Sequence, residues 1–138
     1  DIYGKGAFFM HTLRYIMGDE IFFPTLKKLA TDPLYTYDNT VITSDVEKLF
    51  SNAYGKSLQS LFRLFLYTTD KLEIHVRQTA EDKYLVKLLN LDMPVPVDIL
   101  TDTGIQRLQV DKKGITVSSK TAIQIDPTVF YLKKIIME

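Results

Sequence analysis

The sequence predicts an α+β fold, with an N-terminal layer of about four helices followed by a small immunoglobulin-like antiparallel β-sandwich. Three observations carry this expectation. Apolar residues recur every three or four positions in four segments as far as Tyr67, the period of helices with one buried stripe. After Asp70 the period becomes two, with Leu72, Ile74 and Val76 alternating with Glu73, His75 and Arg77. Finally, Thr101-Asp102-Thr103-Gly104 and Asp111-Lys112-Lys113-Gly114 are turn signals set close together, as they are between short strands. The expected division is residues 1–70 and 71–138.

The first helix is expected from Lys5 to Met17, with Ala7, Met10, Leu13 and Met17 on one face and Gly18 as its stop. Asp19 is placed to cap a second helix carrying Phe22, Phe23, Leu26 and Leu29, and Pro24 moves its expected first turn to Phe22 or Phe23. Thr31 to Thr43, with Asp32-Pro33 and Asp38-Asn39, reads as a loop. Ser44-x-x-Glu47 has the form of a capping box before Val46, Leu49, Phe50 and Ala53, a third helix that ends near Gly55. Ser57 is placed to cap a fourth, with Leu58, Leu61, Phe62, Phe65 and Leu66 on one face.

In the second half the strand after Asp70 is followed by Lys83–Leu91, and Met93-Pro94-Val95-Pro96 is expected to break the next connection. Extended segments then follow at Val97–Thr101, Ile105–Val110, Ile115–Ser118 and Thr121–Ile125. Asp126-Pro127 ends the last of them, and Phe130, Leu132, Ile135 and Ile136 form a closing strand or short helix.

Composition excludes several functions. The 138 residues carry 17 basic and 17 acidic side chains, and no basic run exceeds a pair, so the sequence lacks the footprint of a nucleic-acid or anionic-membrane binder. It has no cysteine for a disulfide or thiolate site, and no apolar stretch approaches the roughly 20 residues of a membrane-spanning helix. His11 and His75 lack a His or carboxylate partner at metal-binding spacing; His11 is expected at the interior or rim of the first helix and His75 on a solvent-facing strand position. Gly4-x-Gly6 lacks the strand and further glycines of a phosphate loop, and Ser57 and Ser60 have no base in view. Asp19-Glu20 and Asp45-Glu47 suit helix-start electrostatics better than paired-carboxylate hydrolysis.

The opening carries the most specific pattern. Tyr3-Gly4-Lys5-Gly6-Ala7, then a helix running into Met17-Gly18-Asp19-Glu20-Ile21-Phe22, resembles the tyrosine-bearing segment of the aminopeptidase N family of zinc metallopeptidases. Gly4 stands where that family usually has an acidic residue, and Lys5-Gly6-Ala7 stays in register. Asn52-Ala53-Tyr54-Gly55-Lys56-Ser57-Leu58 with Leu61-Phe62, the strand Leu72–Val76, and Ile125-Asp126-Pro127 extend the resemblance more diffusely, without the family's Trp after the paired aromatics.

The resemblance implies that residues 1–70 are the last helices of a thermolysin-like catalytic domain and 71–138 the sandwich that follows it. It implies a parent that hydrolyses N-terminal residues from peptide substrates, with Tyr3 as the catalytic residue that hydrogen-bonds the tetrahedral oxyanion. It also implies zinc in the parent, held by a His-Glu-x-x-His helix and a further glutamate. This sequence has no such motif, so no metal ligand is expected in the chain itself. Because it enters the helix without a start methionine, the chain is expected to be a fragment, inactive in isolation. The alternative is a non-enzymatic helical-plus-β interaction module that holds a partner protein on the sandwich face or the Met93–Pro96 edge.

Overall fold

A computed structural model describes residues 2–35 and 43–138, with main chain only for Ile2 and Tyr3. The described residues form two compact units, Asp1–Tyr67 and Thr68–Glu138. The first is helical and the second is a β-sandwich, the α+β class that the sequence predicts.

Helix α1 (Ile2–Met17) buries Phe9, Leu13, Ile16 and Met17, with Thr12 and Tyr15 beside them. It closes at Gly18, whose amide donates to the Arg14 carbonyl at 2.9 Å and whose φ of 82° lies in the region that favours glycine. Helix α2 (Asp19–Thr31) begins earlier than Pro24 led the sequence reading to expect. The Gly18 carbonyl accepts from the amides of Ile21 (3.3 Å) and Phe22 (2.9 Å), closing a turn before the proline. Pro24 then sits on an exposed face inside the helix, where the missing bond would fall on the Glu20 carbonyl, itself on an exposed residue that water reaches. Asp19 is the first helical residue and no cap: the capping position is Gly18, without a side-chain bond.

The expected loop from Thr31 is a turn at 33–35, held by the Asp32 carboxylate accepting from the Leu34 amide at 2.9 Å; Asp38-Asn39 lies outside the described residues. Helix α3 (Thr43–Tyr54) includes Ser44 inside the helix, and Glu47 does not close a capping box. Its carboxylate instead accepts from the Ser51 hydroxyl at 2.6 Å, and the same hydroxyl accepts from the Leu58 amide at 2.9 Å. A side chain at the end of α3 thereby satisfies a main-chain donor at the entrance to α4 (Gln59–Tyr67). Ser57 accepts from the Gln59 amide at 3.2 Å, as its position suggested.

Aromatic rings join these helices. Phe9 of α1 meets Phe62 of α4 edge to face at 4.8 Å between centroids, with Phe65 at 6.0 Å, and Phe22 of α2 lies 6.1 Å from Phe50 of α3. Edge-to-face pairs contribute roughly 0.5–1.5 kcal/mol beyond the area they bury.

The second unit has β1 (Leu72–Ala80), β2 (Lys83–Leu88), β3 (Val95–Thr101), β4 (Gly104–Val110), β5 (Ile115–Ser118), β6 (Gln124–Ile125) and β7 (Lys133–Met137). They form two sheets, in the orders β5-β2-β1-β7 and β4-β3-β6. The core comes from their alternating inward residues: Leu72, Ile74, Val76, Val86 and Leu88 from one sheet, Val95, Val97, Ile99 and Val110 from the other. One pairing departs from the expected antiparallel pattern, since the chain returns to the free edge of β1 in that strand's own direction and β7 pairs with it in parallel. The closing segment is therefore a strand.

Three strand limits differ from the sequence reading, each for a local reason. β2 ends at Leu88 because the Asn90 side chain takes over from the ladder, accepting from the Glu73 amide at 2.9 Å and donating to the Lys71 carbonyl at 2.8 Å. β3 contains Pro96, which was expected in a break: the two-residue β6 pairs only with Ile99 and Leu100, so Pro96 lies beyond its end, where a missing donor is tolerated. β6 starts late because the Ser119 hydroxyl draws 119–121 into a turn, accepting from the Thr121 amide at 3.3 Å and donating to the Thr121 carbonyl at 2.7 Å.

Between β6 and β7 the chain is organised by Asp126. Its carboxylate is fully buried; Oδ1 accepts from the Phe130 amide at 2.9 Å, and Oδ2 from the Tyr131 amide at 3.0 Å and the Lys133 ammonium at 3.0 Å. The Asp126 amide donates to the Asp98 carbonyl at 2.7 Å, and the buried Tyr131 hydroxyl to the Pro96 carbonyl at 2.6 Å. Both bonds tie the loop to β3. At Gly114 the Asp111 carboxylate accepts from the Lys113 and Gly114 amides, and an added Cβ would stand 2.8 Å from the Lys87 Cβ and 2.9 Å from the Val86 carbonyl oxygen.

Three stability outcomes follow, each measured by urea unfolding. Asp126→Ala strands the Lys133 ammonium and the Phe130 and Tyr131 amides and is expected to cost about 3–5 kcal/mol. Tyr131→Phe, which removes the hydroxyl that donates to the Pro96 carbonyl, is expected to cost about 1–2 kcal/mol. Phe62→Ala opens a cavity between α1 and α4 and is expected to cost about 3–5 kcal/mol.

Candidate functional site

Tyr3 lies in the first turn of α1, a helix of 16 residues continuous to Met17. Its side chain is outside the described residues, so its expected role rests on sequence. Helix α1 is anchored further along by Phe9, 5% exposed, against Phe62 and Phe65. The Gly4-Lys5-Gly6 run is helical, and Gly6 has open space where a Cβ would be.

The helix pair that follows is fastened at its turn. Arg14 near the end of α1 forks onto Asp19 at the start of α2, with Nε donating to Oδ1 at 2.7 Å and Nη2 to Oδ2 at 3.1 Å. The Arg14 guanidinium also stands 4.9 Å from the centroid of the Phe23 ring. The hydrogen bonds from Arg14, with its charge, hold the Asp19 carboxyl below its ordinary value, and the same bonds hold the Arg14 guanidinium above its own. Both side chains are more than half exposed, so solvent limits what the pair contributes.

Among the described residues neither histidine joins a group of three or more His, Cys, Asp or Glu side chains. His11 is exposed on α1, more open than the interior or rim position expected for it, with its ring 5.7 Å from that of Phe8 in an edge arrangement. His75 corrects the sequence reading outright: it is 9% exposed and not a wet strand position. The cause is its place in the sheet. β1 lies between β2 and β7, so Lys87 and Ile136 flank His75 as register partners on either side. Its Nε2 is 3.4 Å from a Glu138 carboxylate oxygen, while Nδ1 is buried without a hydrogen-bond partner.

Among the described residues no group of three or more His, Cys, Asp or Glu side chains is placed to hold a metal ion. These residues therefore do not fit a zinc site, and no step of zinc chemistry is assigned to them. No helix of the described residues is long and apolar enough to cross a membrane.

Two charged features of the sandwich escaped the sequence reading. Asp98 on β3 is buried and accepts from Arg107 on β4, its register partner, at 2.8 Å and 3.3 Å. The sequence signal was an Asp and an Arg at mirror positions about the Asp102-Thr103 turn, legible once the hairpin register is known. A shallow groove of about 250 Å³ lies between residues 91–94 and 111–113, bordered by the ion pair of Lys112 with Asp92.

No protein-family model and no curated protein sequence matches the chain.

The Arg14–Asp19 fork gives a pH outcome with a definite sign. The Asp19 carboxyl is lowered in the folded state, so its contribution is complete above the ordinary carboxylate value of about 3.9 and fades as pH falls through the lower folded value. Carbon-detected NMR titration is expected to show Asp19 with the lowered midpoint, and Arg14→Gln to return it to the ordinary range.

Proposed function

We propose that the chain is the end of the catalytic domain and the following sandwich of a zinc-dependent aminopeptidase, acting on the N-terminal residues of peptides. The observation that carries this reading is the run Tyr3-Gly4-Lys5-Gly6-Ala7 in the first two turns of α1, with Met17-Gly18-Asp19-Glu20 forming the junction to α2. The order of a helical unit followed by a seven-stranded sandwich supports it.

In this reading Tyr3 is the catalytic residue of the chain. A phenol remains protonated at neutral pH, so its hydroxyl donates a hydrogen bond to the oxygen that gains negative charge as the peptide carbonyl becomes tetrahedral. A donor placed in advance acts most strongly on the transition state, where that charge is largest. In this reading zinc would belong to the parent's catalytic centre, where it would supply Lewis-acid chemistry. The reading requires a His-Glu-x-x-His helix elsewhere in the parent polypeptide.

A second reading, a non-enzymatic module that holds a partner protein, has the groove beside Met93 and Pro94 in its favour. A parent polypeptide lacking His-Glu-x-x-His would select it.

The deciding experiment is Tyr3→Phe in the intact parent, assayed on an aminoacyl substrate. Loss of one oxyanion donor is expected to lower kcat by about 10²–10³ with little change in KM. Unchanged kcat would remove Tyr3 from the mechanism. The chain alone, residues 1–138, is expected to bind no stoichiometric zinc by atomic absorption after dialysis and to leave the same substrate intact.

A further inference from the structure

We draw no further inference here: the strongest candidate, the open edge of β4 with the exposed Leu100–Ile105 pair on the outer face of its sheet, is an unpartnered apolar strip, and nothing in the structure shows what covers it.

Discussion

The crossing between the two sheets of the sandwich depends on the buried carboxylate of Asp126. Asp126 sits where the chain leaves one sheet for the other, and such a crossing has main-chain amides that no ladder can satisfy. Its two oxygens accept from two of those amides, and the remaining charge is balanced by Lys133. An isolated carboxylate at this depth would be strongly disfavoured; with these donors, three of its lone-pair sites are matched. Asp126 adopts a φ of 50°, a conformation that aspartate tolerates better than most side chains. The strained backbone and the buried charge are thus two parts of one arrangement, which aims β7 at the edge of β1.

Tyr131 shows how the same loop is tied across the unit. Its ring is almost wholly buried, and its hydroxyl reaches the carbonyl of Pro96 on β3. A proline in that strand removes a donor but keeps its acceptor, and the tyrosine uses what the proline leaves. The helical unit is held in a different manner. There the joints are Ser51, bridging Glu47 and the Leu58 amide, and Arg14, bridging the α1–α2 turn, while the interior is fastened by aromatic rings.

How much was legible in the sequence depended on the range of the interaction. The periods of 3.6 and 2 marked the helices and strands because burial on one face is a local pattern, and Gly18, Ser57 and the Asp111–Gly114 turn acted within a few residues of themselves. Misreadings arose where a residue outside the motif itself decided. Ser44 and Glu47 have the spacing of a capping box, yet Glu47 bonds Ser51. Pro96 reads as a breaker until the shortness of β6 is known. His75 alternates as a wet residue should, and only the return of β7 to the far side of β1 encloses it. For the candidate site the sequence supplied Tyr3 and its motif, and the fold supplied the helix on which that motif begins.

Lys133 has a role beyond balancing Asp126. It occupies an inward-facing position on β7, the outermost strand of its sheet, where an apolar residue would make the border flat and adhesive. A foreign strand adding to that border would lie against a sheet margin pinned to an interior charge, and any slip of β7 by one residue would swing the ammonium into solvent and leave a bare anion behind. The same pair that settles the loop therefore also fixes the register of β7 on β1.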